Sequence, residues 1–406
     1  METMQTEGKR NLPHVIYAGH FVPEDQVNAF KGPAVSGNRM QLGIFKAIED
    51  KCELTLISTT PIASYPREKT LRVRGETAEL YTGASYTRIP FINVFGIKQL
   101  TQIRSLRRAL KRVPTDRENT VILNYNPYVE IAIPTLRYAK RHKIKTVCIV
   151  ADIPVTIPKS YNFIKKFFRK LEIKNYYRFI GKYDALVVLN KHVVSQFADG
   201  KRFYLMDGGV TEKEIADAVI LPPEQHHNEQ ILYAGALEPY NGIREMIEGF
   251  LKVQKDIRLV ICGDGTLASY VKEMAEQHER ILYKGKVSHE EAVALQRESG
   301  MLISARPTDG FALKLTFPSK IIEYMLSGTP ILTTRLNGLG EAYEDKLFFC
   351  GQTVDEIAKG IEDFFELPTE ERYARAVRAR EFVETSKTYT YHSKGIIELI
   401  DEVLAE

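Results

Sequence analysis

The stretch from Ser304 to Glu341, SARPTDGFALKLTFPSKIIEYMLSGTPILTTRLNGLGE, gathers the side chains best suited to hold an anion. Arg306 and Lys314 occupy an irregular loop, Phe317 and Pro318 close it, and Ser319 stands where a helix N-cap belongs. Backbone N–H groups at such a helix start, with the positive end of its dipole, make a site for a phosphate or diphosphate, and Lys320 adds a charge beside it. Glu323 follows about one turn later, and its carboxylate accepts hydrogen bonds from hydroxyl groups. A diphosphate and a polyol on one helix spell a sugar nucleotide. Each cation taken singly reads more readily as a solvated surface charge. The combination of Pro-Ser start, Lys one residue inside, first-turn Glu and a Ser327-Gly328 end gives the set its meaning.

The first half offers fewer reactive groups. Asp152 follows the apolar run TVCIV, at the C-terminal edge of a strand, where it acts on a bound hydroxyl or caps its own loop. The segment GPAVSGNRMQLGIFKAI, 32–48, places Ser36, Gly37, Asn38 and Arg39 ahead of an apolar-periodic helix. Gly37 permits close backbone approach and Arg39 supplies a countercharge, with an ordinary turn as the alternative. Cys52, Cys148, Cys262 and Cys350 lie far apart, with no CxxC pair and no His at zinc-finger spacing. No Asp-x-Asp element occurs either, so no metal is assigned. His226 and His227, adjacent in a polar stretch, read as solvated and receive no chemistry.

These residues need a scaffold with strand ends converging on a ligand. Short β-branched runs at 15–18, 53–58, 121–125, 146–150 and 185–189 alternate with helical patterns, and a second series runs through 231–235, 257–263, 281–285, 301–304 and 330–334. That alternation predicts α/β architecture in two doubly wound, Rossmann-like domains. Their expected bounds are 1–220 for the first, 221–230 for a linker, LPPEQHHNEQ, and 231–385 for the second. Residues 386–406 read as an amphipathic C-terminal helix able to cap either domain, with packing back on the first as one option.

Composition agrees with a folded chain of this size: 406 residues, 44% hydrophobic and 27% charged, exclude disordered and collagen-like classes. A formal charge of +4 is too small to make nucleic acid the default partner. The scattered cysteines and the absence of a signal-peptide core fit a reduced, cytoplasmic protein. Basic character is local. Residues 98–113 hold Lys98, Arg104, Arg107, Arg108, Lys111 and Arg112 around an apolar stripe of Leu100, Ile103, Leu106 and Leu110. Residues 161–183 interleave Phe163, Ile164, Phe167 and Phe168 with Lys165, Lys166, Arg169 and Lys170. Both suit the surface of an anionic bilayer, and both read equally as helices packed on a core with a solvated cationic side.

Four pieces of the second half, YAGALEPYNGI at 233–243, VICGDG at 260–265, YKGKVSHEE at 283–291 and FPSKIIEYMLSGTPIL at 317–332, occur in the order and spacing of a known family. The sequence resembles the C-terminal domain of the glycosyltransferase family 4 enzymes, whose GT-B fold sets two Rossmann-like domains either side of a central cleft. The FPSK form is similar to members that build bacterial surface polysaccharides. The resemblance implies transfer of a sugar from a UDP-, dTDP- or GDP-linked donor, a substrate rather than a cofactor, to a hydroxyl of a lipid-linked or glycan acceptor, with retention of configuration. It places Gly235, Gly263, Gly265, Gly285 and Val287 around the nucleotide, and Gly37, Asn38 and Arg39 near its diphosphate. Arg306, Lys314, Phe317, Ser319, Lys320 and Glu323 complete the donor site, and Asp152 and Glu323 become the candidate catalytic groups. The implied location is cytoplasmic, peripheral at the inner face of the plasma membrane.

Three positions depart from the family pattern: Leu315 where an acid is usual, and Ala236 and Asn241 where Arg and Lys are usual. They motivate a rival reading, a catalytically impaired GT-B chain kept as a binding or scaffold subunit.

Overall fold

A computed structural model describes residues 12–32, 34–154, 162–310 and 313–406. The chain divides into two compact units: the first is 1–206 with 392–406, the second 207–391.

Ten strands belong to the first unit: β1 (His14–Gly19), β2 (Glu53–Ser58), β3 (Arg72–Val73), β4 (Glu76–Tyr81), β5 (Ala84–Arg88), β6 (Phe91–Ile92), β7 (Thr120–Tyr125), β8 (Lys145–Val150), β9 (Ala185–Val188) and β10 (Arg202–Leu205). Eight form one sheet in the order β10-β9-β8-β7-β1-β2-β5-β4, parallel except for the antiparallel β4–β5 pair; β3 and β6 make a separate ribbon. Every residue of β1, β7 and β9 is buried, because helices cover a parallel sheet on both faces, and this is why these strands read as unbroken apolar runs. Ile16, Ile57 and Ile122 of the sheet pack with Leu106 and Leu110 of the helix Lys98–Leu110 and with Ile131 and Tyr138 of the helix Val129–His142. Each such side chain contributes about 1.5–3 kcal/mol by leaving water. The chain runs from β1 to β2 on one side and later returns to β7 on the other. The strand order therefore reverses between β1 and β7, and a crevice opens at their C-terminal ends.

The second unit repeats this logic with β11 (His227–Ala234), β12 (Arg258–Cys262), β13 (Ile281–Gly285), β14 (Ser299–Ser304), β15 (Ile331–Thr334) and β16 (Phe348–Cys350), all parallel, in the order β13-β12-β11-β14-β15-β16. Its reversal lies between β11 and β14. Ile231, Ile261 and Ile303 meet Phe250, Ile357 and Ile361 from the flanking helices in one core.

The boundary differs from the sequence expectation. The chain enters the second unit at Asp207, and 221–230 is no linker, since β11 already begins at His227. His226 is interior rather than solvated: Nδ1 lies 2.9 Å from the Ser299 carbonyl, Nε2 3.1 Å from that of Leu221, and the ring rests on Tyr373. Local polarity marked the segment as loose, whereas the long-range contacts with Ser299 and Tyr373 make it part of the fold.

The second unit extends to Tyr391, beyond the expected 385, and its two ends are joined. Val210 N–H donates to the Lys387 carbonyl (2.9 Å) and Tyr389 N–H to the Val210 carbonyl (3.0 Å). Beside this bridge the buried Lys387 ammonium pairs with the buried Asp207 carboxylate, whose other oxygen accepts from Tyr343 Oη at 2.7 Å. The helix Tyr389–Leu404 then carries the chain back into the first unit. There His392 meets Tyr204 Oη at 2.9 Å, and Arg202 binds Glu402 (3.0 Å) and Glu406 (2.7 Å).

Among the described residues no helix is long and apolar enough to cross a membrane. The helix Lys98–Leu110 does not keep its apolar stripe for a bilayer: Leu106 and Leu110 are fully buried in the core, leaving Leu100 exposed and the arginines outward. The helix Phe163–Ile180 buries only its C-terminal half, through Tyr176, Phe179 and Ile180. Residues 155–161, and with them Tyr161, lie outside the described residues.

Candidate functional site

Three successive strand ends are stitched together in the second unit. Gly235 N–H donates to the Cys262 carbonyl (2.9 Å), Gly263 N–H to that of Gly285 (2.8 Å), and Leu237 N–H to that of Asp264 (2.9 Å). Packing explains the glycines: a Cβ on Gly263, with φ +146°, would stand 1.8 Å from the Gly235 carbonyl oxygen, and one on Gly265 2.6 Å from that of Leu237. Gly285 has φ +69° at the exit of β13, and Val287 is half-buried two residues on.

The helix Ser319–Leu326 is fixed against this edge by Tyr324, whose buried hydroxyl accepts from Ala234 N–H (2.9 Å) and donates to the Ala234 carbonyl (3.1 Å). That anchor sets Lys320 beside Gly235, where a Cβ would lie 3.5 Å from Lys320 Cε. Lys320 Nζ is 3.8 Å from Glu323 Oε1, and the same oxygen accepts from Gln296 Nε2 at 2.8 Å. Arg306 leaves the end of β14 on the other side of the reversal point. Its guanidinium carbon is 5.8 Å from the Tyr240 ring centroid, and its Nε is buried with no hydrogen-bond partner among the described residues. Burial holds its pKa below the usual guanidinium value, against the pull of Tyr240 and Tyr233. A desolvated donor at a strand-order reversal is a ready anion contact.

Several expected roles change. Ser319 is the first helical residue, preceded by Pro318, and no side chain caps this helix. Its N–H and that of Ile321 are taken by the Phe317 and Pro318 carbonyls, so the helix start presents fewer unused donors than its sequence implies. Phe317 is interior: its ring is 6.5 Å from Tyr343, and Gly208 packs against it. Lys314 sits exposed on the short turn Leu313–Leu315. Leu315, where an acid was expected from the resemblance, is 4% exposed, a place where an unpaired carboxylate would be costly.

In the first unit the helix that follows β1 spans Val35–Ile48, so Ser36, Gly37, Asn38 and Arg39 form its opening turn instead of preceding it. Asn38 is a buried clamp, with Oδ1 accepting from Val22 N–H (2.9 Å) and Nδ2 donating to the Val22 carbonyl (3.1 Å), so its amide is engaged inside the fold. Arg39 is half-buried on the same turn.

At the reversal point of the first sheet lies a cavity of about 360 Å³. Asp152 lines it at the end of β8. Asn126, held at φ +57° after β7, organises that carboxylate: its Nδ2 donates to Asp152 Oδ2 at 3.0 Å, while its Oδ1 accepts from Asp152 N–H, Ala151 N–H and Tyr176 Oη. Although Asp152 as a residue reaches the surface, its carboxyl turns toward this interior group, and desolvation raises its pKa, opposed by the Asn126 hydrogen bond. Across the cavity His20 Nε2 stands 3.3 Å from Glu130 Oε1. Burial alone would raise the Glu130 pKa, but the hydrogen bond and charge of His20, with help from Lys98, hold it below the ordinary value. Lys98 itself, with its pKa lowered by burial, donates to the Ile62 carbonyl.

Sequence reasoning named Asp152 among the residues that line this cavity and did not name His20, Glu130 or Asn126. Only the Asn126-Pro127 pair directly after an apolar strand carried a signal, that of a polar turn at a strand exit. Among the described residues no cluster of three or more His, Cys, Asp or Glu stands positioned for a metal ion.

A model of the family described as glycosyl transferases group 1 matches residues 220–381. Glycogen synthase of Mycobacterium tuberculosis is 26% identical over 162 residues, which is 37% of this chain and 37% of that protein. The uncharacterized glycosyltransferase MJ1178 of Methanocaldococcus jannaschii is 25% identical over 166 residues, 40% of this chain and 43% of that protein. The match thus spans well under half the length of these curated relatives. Among solved structures, sucrose-phosphate synthase of Thermosynechococcus elongatus superposes with a TM-score of 0.66 over 97% of this chain and 99% of that one, at 13% identity. HepE of Anabaena, crystallised with UDP, gives 0.64 over 96% and 100%, also at 13%. The chain has the α/β fold of the GT-B glycosyltransferases, built from two parallel-sheet Rossmann-like units, and its second unit carries a glycosyl transferases group 1 domain.

Proposed function

We propose that this chain transfers a sugar from a nucleoside-diphosphate donor, bound by the second unit, to a hydroxyl of a lipid-linked or oligosaccharide acceptor in surface polysaccharide synthesis. The observation that carries the reading is Arg306, a desolvated guanidinium with an unpartnered Nε at the reversal point of the sheet inside the matched domain. In the reaction the bond from the sugar C1 to the diphosphate oxygen breaks and one from C1 to the acceptor oxygen forms. Arg306, Lys314 and Lys320 stabilise the charge developing on the departing diphosphate. Glu323, oriented by Gln296, accepts from donor hydroxyls. The acceptor proton passes to Asp152, whose raised pKa makes it a stronger base than an ordinary carboxylate. UDP is the first nucleotide to test, because it is the one named in the HepE complex. Retention of configuration and work at the inner membrane face, through the exposed N-terminal half of the helix Phe163–Ile180, belong to the same proposal.

Leu315 favours a second reading, donor binding without turnover. A thermal-shift panel of UDP-, dTDP- and GDP-sugars, followed by a transfer assay with the best ligand, separates them. Stabilisation with turnover supports the enzyme, stabilisation alone supports the scaffold, and silence across the panel removes both.

A further inference from the structure

The cavity of the first unit shares its walls with an exposed apolar patch. Lys98, which lines the cavity, follows Phe95 and Ile97 and precedes Leu100. These three are 49%, 47% and 56% exposed. Glu172, which also lines the cavity, sits one turn beyond Phe168 on the helix Phe163–Ile180. In that helix Phe163, Ile164, Phe167 and Phe168 are 84%, 60%, 58% and 48% exposed. The two groups are continuous, because the Phe95 and Phe168 rings meet edge to face at 5.8 Å. Large side chains exposed in one contiguous area on a single unit are an interaction surface. Its cations select the partner: Lys165, Lys166, Lys170 and Lys174 are exposed among the aromatics, which is the make-up of a surface that meets anionic lipid.

The interior has the opposite character. Glu130, Asp152 and Glu172 accept hydrogen bonds, and Tyr125 and Tyr128 supply ring faces and edges. Carboxylates beside aromatic rings, in a cavity of about 360 Å³, fit a sugar ring with its several hydroxyls.

We infer that this cavity takes the sugar head of a membrane-embedded glycolipid, whose hydrocarbon chain leaves across Phe95, Leu100 and Phe168. The inference rests on the proposed acceptor reading and narrows it: the acceptor is amphiphilic rather than a free oligosaccharide, and its hydroxyl is held by Glu130 and Asp152. His20 acts as a positioning residue that fixes the Glu130 carboxylate.

The test measures binding to the whole protein by titration calorimetry. The probes are octyl β-glycosides of glucose, galactose, mannose and N-acetylglucosamine below their critical micelle concentrations, each against its methyl glycoside and against octylphosphocholine. For at least one sugar the octyl form is expected to bind tenfold or more tightly than both controls, since burying two methylenes already suffices for that factor. Phe168→Ser with Leu100→Ser, both at exposed positions that folding does not need, should erase the chain preference and leave the methyl glycoside unchanged. Glu130→Gln should weaken both glycosides at least fivefold. Equal octyl and methyl affinities for all four sugars overturn the inference. So does octylphosphocholine binding as well as the glycosides, or glycoside binding indifferent to Glu130→Gln. A UDP thermal shift on the same preparation reports the second unit separately. UDP stabilisation without chain preference sinks this inference alone, and chain preference without any nucleotide response sinks the donor reading alone.

Discussion

Replacing Arg306 with methionine should weaken nucleotide binding while leaving the empty protein as stable as before, or more so. Methionine keeps the length and apolar stem of the side chain, so little cavity opens. A hydrogen bond from a charged donor contributes about 1.5–3 kcal/mol, which converts to a loss of roughly 10- to 150-fold in UDP affinity. In the empty protein the balance is different. The buried Nε has no partner among the described residues, a burden of about 1–3 kcal/mol. The Tyr240 ring at 5.8 Å returns only about 0.5–1 kcal/mol of that. The net gain on substitution is about 0–2.5 kcal/mol, and for a domain of roughly 150–250 residues each kcal/mol moves the melting midpoint by about 2–4 °C. Titration calorimetry with UDP and scanning calorimetry of the ligand-free variant measure the two quantities. Unchanged UDP affinity would show that the diphosphate does not meet this guanidinium. A midpoint that falls together with affinity would show that Arg306 holds the fold and that its role in binding is indirect.

Lys320→Ala should lower donor affinity or turnover by tenfold or more, about 1.4 kcal/mol, in a steady-state assay. Its urea midpoint should stay put, because the Glu323 partner is 3.8 Å away and both side chains are partly solvated. Glu130→Gln and Asp152→Asn should shift stability in opposite directions at neutral pH. The Glu130 pKa is lowered on folding, so its contribution is present above the unfolded value of 4.5 and is lost as pH falls through the folded value. The Asp152 pKa is raised, so its contribution is present below 3.8 and is lost as pH rises through the folded value. Urea titrations of both variants from pH 7 to pH 3.5 test this; shifts of the same sign at pH 7 would refute it. Lys387→Met should destabilise by about 3–5 kcal/mol in equilibrium unfolding, since it strands the Asp207 carboxylate in the interior, and adding Asp207→Asn should restore most of the loss. A double variant no better than the single would rule out that cause.

The sheets were legible because a doubly covered parallel strand must be largely apolar; β1, β7, β8 and β9 stand where apolar, β-branched runs foretold them, and β2 stands where the more mixed ELTLIS did. The antiparallel hairpin β4–β5 was not, since its residues alternate in exposure at a sheet edge and carry no such run. In the site, local signals gave chemistry but not geometry. Ser319 has the right type for a cap, yet Pro318 precedes it and the helix opens with Ser319 already inside. Asn38 has a polar amide at the expected place, yet Val22, far back in the sequence, consumes both ends of it. His20 and Glu130 meet only because the chain doubles back beside β1, and nothing in either neighbourhood announces the partner.

The joined ends at Val210 and Thr388 make the second unit an uninterrupted insert, while the first is stitched from two pieces of chain. Deleting the last fifteen or so residues therefore injures the beginning of the protein, not its end: β10 loses the salt links from Arg202 and the hydroxyl contact from Tyr204, and the second unit keeps all its own chain. A nonsense codon there would yield a molecule wounded in its first unit, and excising 207–391 as a free-standing fragment is the economical way to crystallise the second.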